Sequence, residues 1–128
     1  MYQQIAYKDM KFFFTYLNSS ALYSNIIGLF QLTYIQCNGA QHESLVKLWM
    51  KQIISAVIYM HSLAIAHRDL KLENILLFDD SVVKISDFGF CRMVESNQMS
   101  ITFCGSRSYS APEILLGKAY PPFKADVW

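Results

Sequence analysis

With 128 residues the chain has room for one small domain, and 53% hydrophobic against 16% charged residues place it with globular rather than disordered chains. A formal net charge of +1 excludes a strongly basic surface, and with it the general electrostatic basis for binding nucleic acid. Cys37, Cys91 and Cys104 stand too far apart for a zinc knuckle or a redox pair, and His42, His61 and His67 lack metal-ligand spacing, so three free thiols in a reducing compartment are expected.

Residues 1–37 are aromatic and poor in charge, and they show no clean period. The apolar stretch is broken by Asn18, Ser19, Ser20, Ser24, Asn25 and Gln31 before it could span a bilayer. Lys8 and Lys11 precede it without a small-residue cleavage site, which makes a poor signal peptide. A cytoplasmic chain without a membrane anchor is expected, and the segment itself stays unassigned.

The chain changes character at Asn38-Gly39. Leu45, Leu48, Trp49, Ile53, Ala56, Val57 and Met60 then recur at spacings of three and four, which predicts an amphipathic helix over about 44–61. Lys47, Lys51 and Ser55 take its other face. Two short β-rich runs follow, 75–78 and 82–85, with Asp79-Asp80-Ser81 between them as the turn of a hairpin. The hairpin sets Asn74 before one strand and Asp87 just past the other, so two metal-seeking groups share one rigid unit. From Phe90 to Ser110 the chain is polar and irregular, a loop long enough to be functional. Pro112 then opens a short helix at Ala111-Pro112-Glu113, and a further helix is expected to open at Asp126-Val127-Trp128.

Inside this framework, His67-Arg68-Asp69-Leu70-Lys71-Leu72-Glu73-Asn74 carries every fixed position of the H-R-D-L-x-x-x-N pattern. Asp87-Phe88-Gly89 and Ala111-Pro112-Glu113 follow in order. Asp69, Asn74 and Asp87 could each merely cap a turn, but no hairpin requires Arg68 and Lys71 at these offsets. Taken together, the segments resemble the catalytic loop and activation segment of the protein serine/threonine kinases. The resemblance implies an α+β, protein-kinase-like fold, with residues 38–128 forming part of the mainly α-helical C-terminal lobe and the N-terminal lobe absent.

It also implies transfer of the γ-phosphate of ATP to serine or threonine hydroxyls of protein substrates, a reaction driven by positioning and charge stabilisation. By resemblance, Asp69 is the base and Lys71 a charge on the γ-phosphate. Asn74 and Asp87 are oxygen ligands for Mg²⁺, and Leu76 is a floor for the adenine. Glu73 is a contact for ribose or a basic substrate residue. Arg68 is a partner for a phosphate on Thr102 of the activation segment, and Ser106 is a hydroxyl that bonds Asp69 and Lys71. His67 and Phe88 are expected to pack and align the loop. Ser86 to Phe90 and Thr102 to Ser106 look most like the testis-specific serine kinases of the calmodulin-dependent kinase group, although Arg107 departs from the small residue or proline usual there.

The resemblance has gaps. Gly28 is the only glycine before Gly39, which leaves no glycine-rich loop. Ile5-Ala6-Tyr7-Lys8 looks like the strand that carries a phosphate-binding lysine, but only four residues precede it and no glutamate occurs before Glu43. The isolated chain is therefore expected to be inactive and marginally folded. The alternative is a non-catalytic, truncated kinase that competes for the partners of a parent enzyme through its activation segment. The oligomeric state stays open.

Overall fold

A computed structural model describes residues 29–77, 81–95 and 97–128. Lys8, most of the unassigned segment and the hairpin tip at 78–80 lie outside them. The elements in chain order are β1 (Leu29–Phe30), α1 (Gln31–Asn38), α2 (Glu43–Ser62), β2 (Ile65–Ala66), β3 (Ile75–Leu77), β4 (Val83–Ile85), β5 (Arg92–Met93), α3 (Pro112–Leu115) and α4 (Pro122–Ala125). Single 3-10 turns stand at Leu72–Asn74, Phe88–Phe90 and Arg107–Tyr109.

Helix α1 stops where Gly39 takes the left-handed region, φ +74°, and returns its N–H to the carbonyl of Ile35 at 2.8 Å. Helix α2 starts on His42, whose Nδ1 accepts from the amide of Ser44 at 3.3 Å. Glu43 and Lys47 pair at 2.7 Å one turn apart, but both are largely exposed and the pair adds little.

Trp49 is the buried residue of α2, at 1% exposure. It forms the core with Ile75, Leu77 and Val83, and Tyr34, Leu45, Ile53 and Ile85 pack around that cluster. Tyr34 meets the Trp49 ring edge-on, with centroids 6.0 Å apart. Leu48, expected on the buried face, is 42% exposed, and so are Met50, Ile54 and Ile58 to similar or greater degree. Apolar residues run almost all round this helix, so their spacing alone could not choose its inner face. The indole decides, because it is the largest apolar surface to be removed from water.

Strands β1, β3 and β4 make one antiparallel sheet in that order, with β3 paired to β4 at Ile75↔Ile85, Leu76↔Lys84 and Leu77↔Val83. A side-chain amide fixes this sheet to α2: Gln52 Nε2 donates to the carbonyl of Ser81 at 2.8 Å, and its Oε1 accepts from the amide of Val83 at 3.1 Å.

The irregular stretch 90–110 contains more order than its composition predicts. Arg92–Met93 pairs antiparallel with Ile65–Ala66, and Ser100 bridges to Tyr120. Strands of two residues are too short to leave a period in the sequence. Helix α4 occupies 122–125, and Asp126 caps its C-terminal end. No helix among the described residues is long and apolar enough to cross a membrane.

Candidate active site

The site is built on the segment between β2 and β3. Three successive amides of that segment are tied down by side chains. The amide of His67 donates to Asp126 Oδ2 at 2.8 Å, and that of Arg68 to Asp126 Oδ1 at 2.7 Å. The amide of Asp69 donates to His67 Nδ1 at 3.3 Å. Arg68 itself lies in the left-handed region at φ 69°, a cost for a side-chain-bearing residue that these bonds offset.

His67 is fully buried. Its Nε2 faces the carbonyl of Ser86 at 3.1 Å, so Nε2 carries the proton and Nδ1 accepts. Burial holds its pKa below the ordinary value despite that hydrogen bond and the nearby carboxylates. The imidazole is thus a neutral strut between loop and hairpin, with the Phe88 ring 5.2 Å away.

Asp69 is 5% exposed, and its carboxylate is surrounded by donors. Lys71 Nζ reaches Oδ2 at 2.8 Å, the amide of Ser106 reaches Oδ1 at 2.9 Å, and Asn74 Nδ2 reaches Oδ2 at 3.2 Å and the Asp69 carbonyl at 2.9 Å. Lys71 Nζ also donates to Ser106 Oγ at 2.6 Å. Burial by itself would raise the Asp69 pKa. The Lys71 hydrogen bond and charge, with the amide and hydroxyl of Ser106, outweigh it and hold the carboxyl below its ordinary range. The same bond to Asp69 raises Lys71. Anionic Asp69 and cationic Lys71 are therefore the neutral-pH states.

Asn74 is buried in the 3-10 turn before β3, and its carbonyl accepts both the amide of Ser86 at 2.8 Å and the Ser86 hydroxyl at 2.9 Å. The next residue, Asp87, is exposed and sits at φ 57°, with Oδ1 3.4 Å from the amide of Gly89. With its amide nitrogen committed to Asp69, Asn74 has Oδ1 to offer a cation. No group of three or more His, Cys, Asp or Glu side chains among the described residues could hold a metal. Two oxygen donors on one hairpin nevertheless fit Mg²⁺, which takes one or two protein ligands and fills its octahedron with water and phosphate.

The family model of the protein kinase domain matches residues 5–128. The chain belongs to this family. Among the curated relatives, the testis-specific serine/threonine-protein kinase 4 of Homo sapiens is 46% identical over 113 residues, covering 76% of this chain and 34% of that protein. The testis-specific serine/threonine-protein kinase 2 of Mus musculus is 47% identical over 102 residues, covering 76% of this chain and 28% of that protein. The serine/threonine-protein kinase kin-29 of Caenorhabditis elegans is 43% identical over 113 residues, covering 88% and 13%. The chain thus spans between about an eighth and a third of the length of these kinases.

Of the residues that the kinase resemblance singled out, the structure gathers Asp69, Lys71, Asn74 and Ser106 into one hydrogen-bonded cluster, with Asp87 beside it across the hairpin. Leu76 is half-buried in β3. Glu73 has one carboxylate oxygen, Oε2, buried without a hydrogen-bond partner. Arg68 turns Nε to the carbonyl of Phe90 at 2.7 Å and keeps Nη1 buried and unpaired. Thr102 is exposed; its amide donates to Ser100 Oγ and its carbonyl accepts from the Tyr120 hydroxyl at 2.8 Å. No hydrogen bond joins Arg68 to Thr102 among the described residues.

Asp126 and Gly105 escaped the sequence reading as site residues. Asp126 carried a signal only as part of Asp126-Val127-Trp128, read there as a helix start. Gly105, at φ +89°, lies against the carbonyl of Arg68 so closely that an added Cβ would stand 2.6 Å from it.

Proposed function

We propose that this segment supplies the catalytic loop, the metal-ligand hairpin and the activation segment of a serine/threonine kinase that moves the γ-phosphate of ATP to protein hydroxyls. Residues 38–128 are read as part of its C-terminal lobe, acting in the cytoplasm. The cluster in which Lys71 and Ser106 converge on a buried, ionised Asp69 carries this reading.

In that role, Asp69 accepts a hydrogen bond from the substrate hydroxyl and aims its oxygen for in-line attack. Its depressed pKa suits orientation first and proton acceptance late, as the hydroxyl loses electron density to the phosphoryl group. Lys71, held charged by Asp69 and steered by Ser106, stabilises the charge that spreads over the transferring oxygens. Asn74 Oδ1 and the Asp87 carboxylate would hold Mg²⁺, which neutralises phosphate charge when bound. Leu76 is assigned to the adenine floor and Glu73 to ribose or a basic substrate side chain. Arg68, with its unpaired Nη1, is assigned to a phosphate on Thr102.

The test is transfer of labelled phosphate from Mg-ATP to serine peptides by the chain and by its Asp69→Asn variant. Transfer lost in the variant supports the assignment. Transfer equal in both would overturn Asp69 as the base. Capture of protein substrate without any transfer would favour the non-catalytic, competing role.

A further inference from the structure

We propose that Tyr120 and Ser100 form a latch that seats Thr102 before any phosphate is attached to it. Phosphorylation then adds charge to this segment rather than order. The proposal rests on reading Thr102 as the residue that bears the phosphate.

Thr102 combines an exposed side chain with a backbone held on both sides. Its amide donates to Ser100 Oγ at 3.2 Å, and its carbonyl accepts from the Tyr120 hydroxyl at 2.8 Å. The two holders are themselves joined. The amide of Ser100 donates to the carbonyl of Tyr120 at 2.7 Å, and the amide of Tyr120 donates to the carbonyl of Ser100 at 2.9 Å. Tyr120 is fully buried and Ser100 nearly so. The four bonds thus converge on two residues shielded from water, where hydrogen bonds are electrostatically stronger than in solvent.

The latch makes no use of the cation assigned to the phosphate. Arg68 turns Nε to the carbonyl of Phe90, and no hydrogen bond joins it to Thr102 among the described residues. Apolar side chains meanwhile oppose the path that the segment takes. Ile101 is 75% exposed, and Met99 and Phe103 are each 51% exposed. That surface would leave water if the stretch folded back on the protein. The bonds to Ser100 and Tyr120 hold it out instead. Phosphorylation commonly orders such a segment by creating new arginine pairs. Here the backbone of Thr102 is already fixed by uncharged groups, so the order precedes the charge.

Amide hydrogen exchange on the full chain tests the latch, with Thr102 unphosphorylated and with phosphate installed there by semisynthesis. We expect the amides of Ser100 and Thr102 to be protected without phosphate, and phosphorylation to change that protection less than about threefold. Protection that arises only with the phosphate would overturn the proposal. Tyr120→Phe, in unphosphorylated protein, keeps the buried ring and the backbone bridge to Ser100 and removes the hydroxyl alone. Exchange at Thr102 is expected to rise about three- to tenfold in this variant, the scale of one neutral hydrogen bond. The amide of Ser86, bonded to the carbonyl of Asn74, is expected to keep its rate. An unchanged rate at Thr102, or a parallel rise at Ser86, would overturn the latch. Because exchange needs no turnover, failure here is distinct from failure of the kinase assignment, which is read from phosphate transfer.

Discussion

Gly105 of the activation segment lies on the carbonyl of Arg68, the residue before the proposed base: a Cβ at Gly105 would stand 2.6 Å from that oxygen and 3.3 Å from Asp69 Oδ1. Two segments far apart in sequence are thereby brought to backbone contact. The amide of the next residue, Ser106, then bonds Asp69. Only a residue without a side chain permits both the approach and φ +89°.

Gly105→Ala is accordingly expected to destabilise the protein by roughly 2–4 kcal/mol and to break the Ser106 contact with Asp69. Gly117→Ala is the control. That glycine has φ +66° but nothing within 4 Å of the added carbon, so only backbone strain of about 1 kcal/mol should follow. Urea unfolding of both variants measures the difference, and equal losses would show that the close approach carries no cost.

Lys71→Met should move the titration of Asp69 upward. In the folded wild type the Asp69 pKa is lowered from its ordinary 3.8. Its contribution to stability is therefore fully present above the unfolded value and is lost as pH falls through the folded one. Without Lys71 the burial that favours the neutral acid loses its chief opponent. Carboxyl carbon chemical shifts followed by NMR from pH 2 to 7 should show the change. An unmoved Asp69 would mean that the Ser106 donors alone hold it.

Gln52→Leu should loosen the hairpin, because the amide of Val83 loses its acceptor and the Ser81 carbonyl its donor. A loss of about 1–3 kcal/mol is expected. Gln52→Glu, which keeps an acceptor for Val83, should lose less. Chemical denaturation with Trp49 fluorescence as the probe checks both, and an equal loss in the two would sink the assignment.

The thiols should react in a set order. Burial, with the nearby Asp126 carboxylate, pushes the Cys91 thiol up to about 12, although the Arg68 charge opposes it. Cys37 is exposed. At pH 8 iodoacetamide should alkylate Cys37 well before Cys91, since the thiolate is the nucleophile. Mass spectrometry of a time course gives the order, and early labelling of Cys91 would contradict its placement.

Much of the framework was legible in the residues themselves. The long helix, expected over 44–61, spans Glu43–Ser62; the hairpin pairs where β-rich runs flank Asp79-Asp80-Ser81; and Pro112 opens its helix at the first turn. The inner face of α2 was only partly legible, as exposed Leu48 shows. The two-residue pairing of Arg92–Met93 with Ile65–Ala66 left no pattern to read.

By itself, then, the sequence determined the local elements and the order of three motifs, because periodicity, turn chemistry and fixed spacing act over a few neighbouring residues. The resemblance to serine/threonine kinases follows from that order. Only the tertiary structure decided which distant groups converge: Ser106 on Asp69 across 37 positions, and Asp126 on the amides of His67 and Arg68 across 59 and 58. Side-chain spacing reports which residues seek burial or a cap, but not which donor will meet a given carboxylate. That choice is made when the chain closes and each buried polar group must find its partner within hydrogen-bond reach.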